Sequence, residues 1–249
     1  DLGVLFRSTN EGRTWNRVSL ATAVPEVASI GCLSAAVCVA LAFADGTTAP
    51  GSILRTTDGG VTWSTVPLPS TLAGSVALNA VSCATSTTCL AVGSGGTGAV
   101  ALASTDAGSS WHAVAAPGFG DPEVVTCTST TVCVAAGAGQ YLGYDEELDS
   151  SVTTDGGATW SAPDEYAIGA AAASISCVLA TCQLLSAITN LGAPYPPLLD
   201  VSSDGGRSWT EVATPSDVET LTGLCRSPEL GTLLVGSNVE LGPLVLSRP

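Results

Sequence analysis

The chain has 249 residues, enough to bury a sizeable core, and carries 22 acidic against 7 basic side chains for a formal charge of −15. That balance excludes a nucleic-acid partner, which needs a basic phosphate-contacting surface, and electrostatic docking on anionic membranes. The apolar stretches are strand-sized and punctuated by Gly, Ser and Thr, so no transmembrane helix and no membrane insertion is expected.

In chain order, Gly3–Arg7 reads as a short strand, the polar phrase STNEGRTW (Ser8 to Trp15) as a turn, and Trp15–Val18 as a second strand. Apolar runs ending at Cys32 and starting at Cys38 then enclose a few small polar residues, the pattern of a hairpin. A further strand leads to TTDGGVTW (Thr56 to Trp63), and the cycle begins again. Its next round places strands at Leu78–Cys83, Cys89–Gly93, Ala99–Ser104 and Trp111–Val114. The phrase returns as STDAGSSW (Ser104 to Trp111), TTDGGATW (Thr153 to Trp160) and SSDGGRSW (Ser202 to Trp209). Its five tryptophans are spaced by 48, 48, 49 and 49 residues. A fixed period of that length, filled with short strands, marks a repeat protein made of propeller blades. Three last strands follow at Leu221–Leu224, Thr232–Val235 and Leu244–Ser247.

Each residue type in the phrase has a physical job. The acidic side chain at its third position (Asp58, Asp106, Asp155, Asp204) accepts backbone N–H groups further along and closes a turn. The glycines after it supply positive φ, and the tryptophan offers a large apolar face to pack between neighbouring sheets. The pattern Ser/Thr-x-Asp-x-Gly-x-Thr/Ser-Trp resembles the Asp box, or BNR repeat, of sialidases, sortilin-type receptor domains, some glucanases and photosystem II assembly factors. In those families the box is a structural hairpin, so the resemblance speaks for fold and little for function. Asn10 replaces the aspartate in the first copy and can still cap the turn.

The expected fold is all-β, one β-propeller domain over residues 1–249 with four-stranded antiparallel blades. The strand count is 21, one more than five blades need. Five blades closed by a clasp, in which the C-terminal strands 1 and 2 join the N-terminal strands 3 and 4, are the expected arrangement. A six- or seven-bladed parent is the alternative. The start in mid-repeat at Asp1 points to a mature or excised product.

Four of the repeats carry close cysteine pairs: Cys32/Cys38, Cys83/Cys89, Cys127/Cys133 and Cys177/Cys182. One cysteine on each arm of a hairpin turn suits a cross-strand disulfide and implies an oxidising, extracellular or cell-surface location. Zinc fits less well, because the spacing is wide and His112 is the only histidine. Neither a metal nor a cofactor is expected. Cys225 is unpaired, with Gly231 standing six residues on.

Hairpins 1–2 and 3–4 share one face of a propeller, so the cysteine turns and tryptophan phrases occupy it together. Connections 2–3 and 4–1 occupy the other face and differ among repeats, which makes them the candidate ligand surface. The most distinctive of them holds Tyr141, Tyr144, Asp145, Glu146, Glu147 and Asp149; the adjacent ones add Asp164, Glu165, Tyr166 and Tyr195. Tyrosine faces and carboxylates suit sugar rings, although an acidic solvated loop with tyrosines covering blade edges has the same composition. YDEELD lacks the spacing and the glycine of a calcium loop.

A sialidase would need three arginines converging on a substrate carboxylate. Here Arg13 and Arg207 lie in the phrases, Arg226 in a hairpin, Arg17 at the rim, and Arg7, Arg55 and Arg248 at the end of strand 3. No catalytic residue is assigned; without a companion histidine in the loops no triad can be drawn. The expected function is a non-catalytic binding or assembly module for a protein or glycan. The alternatives are a glycoside hydrolase using loop carboxylates, or a structural subunit that self-associates by strand addition.

Overall fold

The computed structural model describes residues 4–20, 26–43, 51–72, 76–139, 147–168, 170–188, 197–214, 218–227, 231–238 and 242–248. Among them there is no helix, and every strand pairing is antiparallel. The chain opens with a two-stranded hairpin, β1 (Leu5–Arg7) and β2 (Asn16–Val18). The first full sheet is β3 (Glu26–Cys32), β4 (Cys38–Phe43), β5 (Ser52–Thr56) and β6 (Ser64–Val66). The second is β7 (Val76–Cys83), β8 (Cys89–Gly95), β9 (Gly98–Ser104) and β10 (His112–Val114). The third is β11 (Asp121–Cys127), β12 (Cys133–Ala138), β13 (Glu147–Thr153) and β14 (Asp164–Ile168). The fourth is β15 (Ala170–Val178), β16 (Thr181–Ile188), β17 (Leu198–Ser202) and β18 (Thr210–Val212). The terminal sheet has three strands, β19 (Val218–Ser227), β20 (Gly231–Asn238) and β21 (Gly242–Arg248).

The sheets stack face to face, which is why their middle strands are apolar on both sides. Val39, Leu41 and Ile53 of the first full sheet form one cluster with Leu78, Val81, Ala91, Leu102 and Trp111 of the second. Alternate residues of the same strands, Ala40 and Leu54, pack the other way, against Leu5 and Val18 of the opening hairpin. The first strands β3, β7, β11, β15 and β19 contact one another in that order. Each carries a β-bulge at the same place: Ala28, Asn79, Glu123, Ala173 and Thr222 fall four residues before Cys32, Cys83, Cys127, Cys177 and Arg226. A bulge bends a strand and increases its twist, as a strand lining a central axis requires. On β8 the backbone approach to the bulged strand is so close that a Cβ on Gly93 would lie 2.0 Å from the Ala77 carbonyl oxygen.

All four expected disulfides are present, each joining residues directly opposite in the ladder with Cα atoms 4.0 or 4.1 Å apart. The second cysteine of each pair also belongs to the core: Cys38, Cys89, Cys133 and Cys182 are 8, 1, 3 and 0 % exposed. Cys182 pairs with Cys177 as expected and packs with Val134 and Val152 of the preceding sheet. The fourth hairpin is shorter than the others. Cys177 and Cys182 are five residues apart where the other pairs are six, so the turn closes directly beyond them through Leu179, at a φ of 55°. In every pair the second cysteine faces a seam, so each bridge serves packing as well as the turn.

Cys225 is free and exposed. The register explains why it is no broken copy of the others. Arg226 lies opposite Thr232, six residues on, and these two hold the places of the cysteine pair. A shift of one residue turns a side chain to the opposite face, so Cys225, next to Arg226, points away from the bridge position.

Two further expectations are corrected. The clasp is not found among the described residues: β21 pairs with β20 and takes the third-strand place that β1 would have filled, while β1 and β2 pair with each other. β21 begins four residues after β20 ends, so its loop-closure entropy is far smaller than that of recruiting β1 from the other end of the chain. Arg248 is not equivalent to Arg7 and Arg55. It lies opposite Thr232, where Thr56 lies opposite Cys38, and so stands at the first hydroxyl position of the phrase.

Intact protein treated with iodoacetamide should gain one adduct, at Cys225, and nine after reduction and unfolding; mass spectrometry reads both. Replacing Cys83 and Cys89 together by alanine should lower the unfolding free energy in urea by about 2 kcal/mol, the chain-entropy value for so short a loop.

Candidate functional site

One face of the stack is built from the tryptophan phrases and the disulfide hairpins. In the second phrase, Asp58 Oδ1 accepts the backbone N–H groups of Val61 (3.0 Å) and Thr62 (2.9 Å), and the Thr62 hydroxyl donates to Oδ2 (2.6 Å). The Thr56 hydroxyl donates to Asp58 and accepts from Gly60 N–H at 2.9 Å. Gly59 and Gly60 take φ of 70° and 85°, the left-handed region the turn demands. Asn10 keeps the same turn with one bond reversed, its Nδ2 donating to the Thr14 hydroxyl at 2.8 Å.

These donors hold the carboxyls well below their ordinary value. Asp106 and Asp204 are lowered to about 2, chiefly by the hydroxyls of Ser110 and Ser208, and Asp58 and Asp155 are lowered by Thr62 and Thr159. Each turn is also bonded to the disulfide hairpin of its own sheet. Gly59, Ala107, Gly156 and Gly205 N–H donate to the carbonyls of Ala36, Thr87, Thr131 and Ala180 at 2.7 to 2.9 Å.

The seams between sheets use the rest of this face. Arg7 Nε donates to the Gly59 carbonyl of the next sheet, and Arg55 Nε to that of Ala107 at 2.7 Å. Arg226 Nη1 donates to the Thr181 carbonyl in the preceding sheet's hairpin at 3.0 Å. Trp160 and Trp209 reach back to the preceding sheet, donating to the Ala115 carbonyl and the Ser150 hydroxyl, both at 2.8 Å. Arg13 pairs with Glu11 within its own turn, on the surface. These guanidinium groups serve turns and seams and do not converge on a common point.

The opposite face carries the residues that differ among repeats. Tyr141, Tyr144, Asp145, Glu146 and Tyr195 lie outside the described residues, as do the side chains of Glu165 and Tyr166. Glu147 and Asp149 sit at the start of β13, Glu147 half-buried and Asp149 buried. Asp164, Glu165 and Tyr166 are not in a connecting loop: they belong to β14, the rim strand, with Glu165 opposite Asp149 and Asp164 opposite Ser150. The cause is Pro163, which cannot donate to the ladder. In the other sheets the last strand starts directly after the tryptophan; here pairing resumes only at Asp164.

The sequence reading missed two features. A cavity of about 380 Å³ opens at this face between the first and second full sheets, lined by Pro67, Leu68, Pro69 and Leu72 with Gly51 and Val76. Its signal was present in VPLPSTL, where prolines alternate with apolar residues in a 4–1 connection. The second is Asp200, which stands where the first two full sheets have Leu54 and Leu102. It is 5 % exposed, and its Oδ2 has no hydrogen-bond partner. Burial, with Glu211 opposite it on β18, pushes its carboxyl up to about 6.

The sequence matches no protein-family model and no curated protein. Solved structures share the fold. YCF48 bound to D1 peptide superimposes with a TM-score of 0.59 at 18 % identity, over 95 % of this chain and 67 % of that one. The GH74 xyloglucanase from Xanthomonas campestris gives 0.64 at 18 %, over 93 % of this chain and 39 % of the enzyme. Penicillium chrysogenum α-L-arabinanase complexed with arabinobiose gives 0.63 at 13 %, over 100 % and 86 %. At these identities the likeness establishes the fold class, an all-β propeller of four-stranded sheets, and includes enzymes and a peptide-bound protein alike.

The two sets of carboxylates respond to pH in opposite senses. The depressed Asp106 and Asp204 contribute stability fully above about pH 4, the unfolded carboxylate range, and lose it as pH falls towards 2. Asp200 is raised, so its ionisation opposes folding progressively from about pH 4 to 6 and fully above. Asp200→Leu should therefore raise the unfolding free energy by about 1–3 kcal/mol at pH 7.5 and by much less at pH 4. Equal gains at both pH values in urea titrations would rule out ionisation as the cause.

Proposed function

We propose that this chain is a non-catalytic Asp-box β-propeller of an extracellular or cell-surface location, binding a protein ligand on the variable-loop face. The observation that carries this reading is how the polar groups are divided. Phrases, hairpins and the arginines that bond them are consumed in turns and seams on one face. The residues particular to this chain collect on the other, around the 380 Å³ groove and where β13 starts and β14 ends. A cavity of that volume with an apolar, proline-edged wall suits an extended peptide better than a sugar. Four cross-strand disulfides support the oxidising location. YCF48, whose structure holds a D1 peptide, supplies an analogy of fold alone.

The hydrolase reading draws on the opposed Asp149 and Glu165. Asp149 is buried inside the stack and does not line the groove at Pro67–Leu72.

Selection from a displayed random-peptide library should yield binders whose affinity drops at least tenfold with Leu68→Glu. A glycan array should give no comparable signal, and aryl glycosides should not turn over. Hydrolysis abolished by Glu165→Gln would replace this reading with the enzymatic one.

A further inference from the structure

One internal seam lacks a group that its neighbours have. Arg7 and Arg55 hold the same place, one residue before the first hydroxyl of a phrase, and each crosses its seam to the phrase of the next sheet. Their Nε groups donate to the carbonyls of Gly59 and Ala107, the fourth residue of that phrase. The seam between the third and fourth full sheets fills the place with Val152, packed against Val134, Cys182 and Trp209. Between the second and third full sheets the place falls to Ala103, which lies opposite Leu90 as Arg55 lies opposite Val39. A methyl group cannot span the seam, and a cavity of about 190 Å³ stands there. Ala103, Thr105 and His112 line it from one sheet, and Thr130, Asp155 and Gly156 from the next.

Gly156 is the fourth residue of its own phrase, so its carbonyl is the counterpart of the two that accept guanidinium N–H groups. Its turn holds it in the same way. Gly156 has a φ of 75° against 70° at Gly59, and its N–H donates to the Thr131 carbonyl at 2.9 Å as Gly59 N–H donates to that of Ala36 at 2.8 Å. Ala103 brings no donor to this acceptor. We propose that the cavity is a guanidinium-binding site, in which an external guanidinium group takes the place that Arg7 and Arg55 fill in their own seams. A planar, weakly hydrated guanidinium suits a fixed backbone acceptor in a narrow seam better than the compact, strongly hydrated ammonium of lysine. Asp155 adds a carboxylate to the wall, kept ionised by the hydroxyls of Thr159 and Thr153, and the formal charge of −15 draws cations to the molecule. The turn orders the acceptor beforehand, which lowers the cost of binding. Both walls belong to this chain, and the site lies on the phrase face, away from the proline-edged groove. It stands independently of the peptide-binding reading.

Amide NMR spectra of the isotopically labelled chain, titrated at constant ionic strength with methylguanidinium chloride and with N-acetylarginine amide, test this. Both probes should move the signals of Ala103, Thr105 and Gly156 saturably, with a Kd of about 1–10 mM. N-acetyllysine amide should bind about fivefold more weakly or less. Tighter binding of the capped arginine assigns the site to a protein side chain, and tighter binding of methylguanidinium assigns it to a small molecule; each result supports a guanidinium site. Ala103→Arg should fill the cavity from within, raise the melting temperature and abolish the titration. Ala103→Leu, which takes up the space without a donor, should abolish it as well and serves if the arginine variant does not fold. Absence of saturable shifts with both arginine probes up to about 100 mM overturns the proposal. So does lysine binding as tight as that of arginine, or a titration that survives in a folded Ala103→Arg chain.

Discussion

Everything in this structure depends on the apolar seam between consecutive sheets. A four-stranded sheet whose strands read CVALAF or SILRT has no face it can leave in water, so it persists only when sandwiched. The tryptophan at the end of each of the last four phrases is the largest single piece of that seam. Trp63 packs on Leu5 and Val18, and Trp111 on Val39, Leu41 and Ile53, each bridging to the sheet before its own. Hydrogen bonds then set the angle of the seam. Ser29 and Ser82 hydroxyls accept Val81 and Cys127 N–H from the following first strand, and the Asn79 amide donates to Asp121 and the Pro122 carbonyl. The bulge in each of these first strands supplies the bend that lets successive strands turn about an axis.

Glycine has a fixed place in this scheme. A Cβ on Gly108 would lie 2.4 Å from a methyl of Val39, and one on Gly206 would lie 2.6 Å from a methyl of Val134, so the turn of one sheet rests directly on the second strand of the previous one. The same glycines have positive φ. Turn geometry and seam contact therefore select the same residue, and the phrase is kept for a packing reason as much as for the aspartate that closes it. The depressed carboxyls follow from the turn, whose N–H and hydroxyl donors favour the ionised form.

The architecture was legible in the sequence because its signals are local and repeated. Strand positions, the turn chemistry of the phrase and the four cross-strand cysteine pairs all follow from short-range spacing, and each is present in the structure. What escaped notice depended on register and on packing between sheets. Spacing pairs Cys182 with Cys177 but does not say that Cys182 faces Val134 and Val152 across a seam. Cys225 looked like a widowed cysteine because TLLVGS was not aligned with CLAVGS, which puts Thr232 at the place of Cys89 and makes Arg226 the true counterpart of Cys83. Arg248 was displaced by one residue for the same reason. Asp164 to Tyr166 were read as loop because the strand they form starts late, after Pro163, where spacing from the tryptophan no longer predicts pairing. The expected clasp failed on a comparison of distant with local partners, which a strand count does not contain.

Asp200 shows how the repeat marks its own exceptions. Two full sheets have leucine at that place, and the third has Ser151, whose hydroxyl donates to the Ser161 carbonyl at 2.7 Å. The serine is a tolerable departure because it has a backbone acceptor within its own sheet. The aspartate faces Glu211 across the ladder and has an oxygen with no partner, so nothing in its sheet compensates it. A residue that costs stability at its own position and contributes to no turn or seam is not part of what the repeat needs in order to stand. The same holds for the proline-edged groove. In a protein whose constant residues are fully accounted for by packing, the departures from the repeat are where chemistry particular to this chain has room to reside.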